Sequence, residues 1–338
     1  MAAPKSSKLD RAISNVTMEP GLRDFNAQTA DDAGDDMRCL AELGKIMEDI
    51  NNVANGVSVD EFEKGKKYHG MGRSLILTWE ERELLDKRLS GTLKNFIAHA
   101  EVLETMQATE IERNGAGDTA FSYDRFRQLA IETRAENIIK RFTIALSGLA
   151  KFSKRDPNPY LMAFNPNEQK KYEAAKARLK EDYVFFKLML GDLRRYKACI
   201  MRVEFPYNTG TKANKAKEKS LREQRNKEIE GARAEYQEAF NYAREHLPNT
   251  HSFALRIGLS FATMYYDFLD MPERAIELAQ SIHRDVAPRV IQKNKDEEAS
   301  VRNAALPVLQ ELEERLFLWT CVNPMDSQDP RLWNEESI

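Results

Sequence analysis

Five histidines, His69, His99, His246, His251 and His283, are the first candidates for metal or acid–base chemistry. None lies in an HExxH, and His246 and His251 flank a proline turn without a carboxylate cluster beside them, so they read as turn and packing residues. The three cysteines, Cys39, Cys199 and Cys321, are scattered and form neither a CxxC nor a pairwise framework, which suits a reducing, cytoplasmic setting. No GxxxxGK[ST], no GxGxxG behind a strand and no GxSxG occurs, so nucleotide and serine-hydrolase chemistry have no support. What remains is charge at helical spacing. Asp192 stands three residues before Arg195, on the same helix face, where it can hold the guanidinium next to Tyr196. Ser90, Lys94 and Ile97, spaced four and three apart, share one face, and Glu311 lies four residues before Arg315, the favourable order for an intrahelical pair. The run KANKAKEKSLREQRNK belongs to a stretch, Thr211 to Glu228, with seven basic and three acidic residues; it reads as a solvated helical face before it reads as a surface for acidic partners. It has no interleaved aromatics on which bases would stack, so nucleic acid is not expected. With no catalytic motif found, the chain is not expected to be an enzyme or to carry a cofactor or metal.

The elements that must position these residues are helices. Over 338 residues, 42% are hydrophobic and 31% charged, enough apolar matter for a sizeable core, while 15 glycines and 12 prolines are too few for a loop-rich β sandwich. The formal charge of −3 makes no case for nucleic acid, and neither an 18-residue apolar run nor a secretory leader is present. Residues 1–35 are polar and aperiodic and read as a mobile arm. After Asp36, a possible N-cap, Leu40, Leu43, Met47 and Ile50 fall on one helix face. TWEERELL is a capping box, Thr78 with Glu81, that opens a helix running to about Glu112. Further helices are expected at about 123–153, 168–203 and from KANKAKEK to the HLPNT stop, then at roughly 250–269, 272–293 and 296–320. No period-two pattern persists, so the fold class is all-α, an array of antiparallel helices over 36–321 followed by an acidic tail at 322–338.

From Ala232 to Cys321 the chain resembles the 14-3-3 family. AEYQEAFNYAREHLPNTH, IGLSFATMYYDFLDMPERAIELAQ and LQELEERLFLWTC match that family's last three helices in order and spacing. WEERELLDKRLSG resembles its third helix and FFKLMLGDLRRYKA the start of its fifth. The resemblance implies about nine antiparallel helices forming a cup-shaped bundle, here with inserted loops or helix extensions, and dimeric through its first four helices. It also implies a signalling adaptor that binds phosphoserine or phosphothreonine peptides of client proteins in an amphipathic groove. The small residues of AEYQEAFNYA would equally suit a tetratricopeptide-like hairpin, but no 34-residue period is found.

Carried onto this chain, the resemblance makes Arg195 and Tyr196 the surviving half of the phosphate site. A phosphate dianion needs two or three cationic groups and a hydroxyl donor held rigidly. Ser90 and Ile97 stand where the two cations of the third helix belong, and Lys94 is the nearest ammonium that reaches the same volume. In the rest of the groove Ser260 and Arg315 replace two asparagines that hold ligand backbone, Thr263 replaces a valine, and Pro307 and Glu311 replace two wall leucines; Leu259, Val308 and Trp319 stay apolar. Pro307 is expected to terminate or kink its helix. The expected activity is therefore weakened or specialised phosphopeptide binding, the alternative being a helical scaffold for unphosphorylated or acidic segments. Insertions at about 57–77, 155–170 and 205–228 depart from the family pattern. The stripe Leu40, Leu43, Met47 and Ile50 is expected to bury in a homodimer, and the acidic tail to compete for the groove.

Overall fold

The structure, a computed structural model, describes residues 79–115, 118–154, 166–202, 212–293 and 299–322. The amino-terminal arm, the stripe Leu40 to Ile50, the cap Thr78, the 57–77 insertion and the acidic tail beyond Val322 lie outside the described residues. Those residues are helical throughout apart from turns, with no strand among them. They form α1 (Trp79–Asn114), α2 (Asp118–Arg127), α3 (Thr133–Ser153), α4 (Pro166–Ile200), α5 (Lys212–His246), α6 (Ser252–Asp267), α7 (Pro272–Lys293) and α8 (Ala299–Val322). A five-residue π turn, Gln128–Glu132, joins α2 to α3 without a break, so seven continuous helices are described. The chain divides into two compact units, the first ending at Glu235 and the second starting at Tyr236, within α5.

In the first unit α1 packs on α2 and on α4, and α3 packs along α4. Leu85, Leu89, Leu93, Phe96, Ala100 and Leu103 recur every three or four residues of α1 and are all buried, the stripe that an amphipathic helix turns to a core. The middle of α4 has no polar face to spare. Tyr183, Val184, Phe185, Phe186, Leu188, Met189 and Leu190 are all nearly inaccessible, as expected of a helix covered on several sides. Full burial of one such phenylalanine contributes about 1.5–3 kcal/mol. Two buried arginines fasten the helices. Arg82 of α1 reaches Glu181 at 2.9 Å and Asp182 at 2.7 Å on α4. Arg127, at the end of α2, donates to the backbone oxygens of Ala100 and Ile200 and pairs with Glu104 and Glu132, so one guanidinium joins α1, α2, the π turn and the end of α4.

In the second unit α6, α7 and α8 pack against one another. Tyr236, Phe261 and Tyr265 are buried, and the Phe261 and Tyr265 rings stack 4.8 Å apart. Gly258 lets α6 approach α7 closely, since a methyl there would collide with Ile282 Cδ1. The α6–α7 corner turns at Asp270, the one described non-glycine residue in the left-handed region, at φ 50°.

Helix limits differ from the sequence expectation by a few residues. α4 opens at Pro166, two residues early, because proline suits the first helical turn, where its missing N–H costs nothing. Pro307 does not terminate its helix. It neither ends nor opens α8, which runs through it from Ala299 to Val322. It stands on the exposed side of the helix, eight residues from its start.

Candidate functional site

Arg195 and Tyr196 lie in the last two turns of α4, where Tyr196 meets Ser90 of α1. The Arg195 side chain is 17% exposed, and Nη2 donates to Asp192 Oδ1 at 3.1 Å. Its guanidinium carbon stands 4.7 Å from the centre of the Tyr196 ring, which orients the planar group further. Tyr196 is buried, and burial followed by the nearby Asp192 carboxylate raises its pKa, so the phenol stays a neutral donor. It shares a hydrogen bond with Ser90 of α1. Ser90 Oγ in turn donates to Asp86 Oδ1 at 3.1 Å.

The α1–α4 packing thus brings four of the expected residues together: Ser90, Asp192, Arg195 and Tyr196. Lys94 lies one turn beyond Ser90 with an exposed side chain, and Ile97 is half-buried on the same face. The sequence reading missed Asp86. It is one turn before Ser90, and the i, i+4 spacing carries the signal that would have found it. Two carboxylates, Asp86 and Asp192, thus stand near the Tyr196 phenol, and Asp192 also holds Arg195.

The other expected groove residues are in the second unit, on α6 and α8. Leu259, Thr263 and Trp319 are buried, Ser260, Val308 and Arg315 are half-buried, and Glu311 is exposed. Trp319 stacks on Tyr266 at 4.9 Å with the rings 15° apart, which fixes where α8 meets α6. Val308, Glu311, Arg315 and Trp319 follow one another by three or four residues along one face of α8. Among the described residues no ion pair joins Glu311 to Arg315, so Arg315 is not neutralised in the way the i, i+4 spacing had suggested.

His246 and His251 behave as turn and packing residues. His251 Nδ1 accepts from the backbone N–H of Phe253 and caps α6, and His246 packs its ring edge-on against Tyr242. His283 of α7 reaches Glu313 of α8 at 2.8 Å. Among the described residues no cluster of histidine, cysteine and carboxylates has a metal-ligating arrangement, and no helix is long and apolar enough to cross a membrane.

The model of the 14-3-3 protein family matches residues 170–320, from early α4 to near the end of α8. The match contains Asp192, Arg195 and Tyr196 and all the α6 and α8 groove positions, and it stops short of α1, which carries Ser90, Lys94 and Ile97. Among curated proteins, the 14-3-3-like protein 2 of Caenorhabditis elegans is 29% identical over 159 residues, 47% of this chain and 55% of that one. The 14-3-3 protein eta of Bos taurus is 31% identical over 149 residues, 44% of this chain and 50% of its own. The 14-3-3 protein homolog 2 of Schistosoma mansoni is 30% identical over 150 residues, 44% and 59% respectively. The chain spans about half the length of the curated relatives it matches. Residues 170–320 are thus similar to the 14-3-3 family, as a divergent relative at about 30% identity.

Proposed function

We propose that this protein is a non-enzymatic adaptor that binds phosphoserine or phosphothreonine segments of client proteins, with the phosphate held by Arg195, Tyr196 and Lys94. The observation that carries the reading is the pre-formed Arg195–Tyr196 pair. The guanidinium is oriented by Asp192 and by the aromatic ring beside it, and the neutral phenol, hydrogen-bonded to Ser90, lies next to it. A charged fork already fixed in place loses little freedom when a phosphate arrives, so its bidentate bonds are felt nearly in full. Each charge-assisted bond contributes about 1.5–3 kcal/mol. Losing two cations, at Ser90 and Ile97, weakens affinity by roughly a hundredfold or more, which makes this a weak or selective reader.

A second reading has its own observation. Asp86 and Asp192 both act on the Tyr196 phenol, and their charges oppose a dianion, so the same surface suits an unphosphorylated segment that offers Asp86 a donor or a cation. Paired peptides, identical except for the phosphate, titrated into the full chain by fluorescence anisotropy discriminate the two. The phosphoreader reading expects at least tenfold tighter binding of the phosphorylated member. Equal affinity for both members defeats it and leaves the scaffold.

A further inference from the structure

Four hydroxyl side chains stand on α1, and three of them return their proton to their own helix. Thr92, Thr105 and Thr109 each donate to the backbone oxygen four residues earlier, at 2.9, 3.1 and 2.9 Å. That is the ordinary local use of a hydroxyl within a helix. Ser90 does otherwise. Its Oγ donates to the side chain of Asp86, 3.1 Å away, and it shares its other hydrogen bond with the Tyr196 phenol of α4. Its hydroxyl therefore serves a contact between two helices.

The order of donors in that contact follows from what each group can give. An ionised carboxylate only accepts, and a serine hydroxyl has a single proton. With that proton on Asp86, the Ser90 oxygen is left to accept, so the phenol donates to Ser90. The relay runs from Tyr196 to Ser90 to Asp86. Tyr196 is only 4% exposed and has one hydroxyl proton of its own, so the proton it gives Ser90 is withheld from a ligand.

Exchange decides what this costs a phosphate. When a phosphate oxygen takes over the phenol, the bond to Ser90 breaks as the new one forms, and the gain is only the difference between the two. The Ser90 oxygen is also left short of a donor. With a side chain at position 90 that cannot accept, the buried phenol of the free chain loses its partner, a state disfavoured by the desolvation of that group. An arriving phosphate then supplies the missing acceptor, and far more of the bond counts toward binding.

We propose that Ser90 sets the affinity of the Arg195–Tyr196 site: it holds the Tyr196 phenol in a relay to Asp86, and a phosphate must displace it before the phenol can hold the ligand. This role rests on the phosphopeptide reading proposed above. It gives Ser90 a part beyond the absence of a cation at its position, because the serine also occupies the donor that the site retains.

Two measurements test the relay, the first without any ligand. In urea unfolding of the full chain, Ser90→Ala and Tyr196→Phe are each expected to lower stability, and the double variant to fall no further than the more harmful single one. Losses that simply add overturn the proposal. The second probe is a phosphoserine peptide selected from a degenerate library, with its unphosphorylated twin, titrated by fluorescence anisotropy. Ser90→Ala is expected to tighten the phosphorylated member about fivefold and to leave its twin unchanged. Ser90→Thr, which restores the hydroxyl, should reverse that gain, and in the Tyr196→Phe background Ser90→Ala should give none. A gain that survives without the phenol, a gain shared by both peptides, or no gain at all overturns the proposal. Where the unaltered chain still prefers the phosphorylated member, those outcomes remove the role of Ser90 and leave the phosphopeptide reading standing. A preference absent from the unaltered chain and from every variant removes both.

Discussion

At Arg195 the decisive quantity is geometry rather than charge count. Asp192 at 3.1 Å and the Tyr196 ring at 4.7 Å leave the guanidinium one orientation, and a bidentate phosphate contact uses that orientation. Arg195→Ala is expected to cost a phosphopeptide at least about 2 kcal/mol, roughly thirtyfold in affinity, by anisotropy titration. Arg195→Lys keeps the charge and loses the fork, so it should recover only part of that loss. Lys94→Ala is expected to cost less, because a flexible ammonium gives a point charge at a larger entropy cost. The complementary change is Ser90→Lys. It places an ammonium on α1 beside Asp86 and Tyr196 and should tighten a phosphopeptide about tenfold, while unchanged affinity would show that the phosphate does not approach α1. The Arg195–Tyr196 pair was legible from a short motif; the carboxylates around it were only half so. Asp192 was readable from i, i+3 spacing within one helix; the i, i+4 spacing ties Asp86 to Ser90, but that the two meet Tyr196 depends on the packing of α1 on α4.

The contact between those two helices also contains a group that reports on pH. Asp182 is buried against Arg82, whose Nη2 lies 2.7 Å away, yet desolvation outweighs the attraction and raises its carboxyl from 3.8 to about 7. Between these values the folded chain keeps the proton and the unfolded chain releases it. The folded state therefore binds more protons there, and stability falls as pH rises from about 4 to about 7, then levels off. The slope is on the order of 1.4 kcal/mol per pH unit in the steep part. Urea midpoints at pH 5.5 and 8 should show it, and Asp182→Asn should flatten the difference; an equal drop in the variant would assign the effect to other groups. Neither this pair nor the Arg127 network was visible in the sequence, because an isolated arginine or aspartate on a charged helix reads as solvated. The helices themselves were readable, since Leu85, Leu89, Leu93 and Phe96 keep a strict helical period. The π turn was not, because a single extra residue shifts that period by less than one turn and leaves the apolar pattern of Ala130, Ile131, Ala135 and Ile138 looking continuous.

For the whole molecule, the family match begins at residue 170, so the amino-terminal half is where this chain is most its own. The stripe Leu40, Leu43, Met47 and Ile50 belongs to that half and lies outside the described residues; an apolar stripe of that length needs a partner surface, and we propose a second copy of the chain. Light scattering at micromolar concentration is expected to give twice the 38.9 kDa of one chain, and a single-chain mass would refute it. The other end of the chain bears on binding. Beyond the described residues, the sequence VNPMDSQDPRLWNEESI carries Asp326, Asp329, Glu335 and Glu336 against one base, Arg331, and sets Leu332 and Trp333 among them. Acids next to an apolar pair offer Arg195 and Lys94 the same two features as a client segment. A covalent tether supplies such a segment at an effective concentration in the millimolar range, so even a weak interaction occupies the site much of the time. Phosphorylation of Ser327 or Ser337 adds up to about two negative charges and raises that occupancy. Removing residues 323–338 is therefore expected to tighten an external phosphopeptide about three- to tenfold. The same residues added back as a free peptide should compete only near millimolar concentration, and an unchanged affinity after truncation would end the case for competition by the tail.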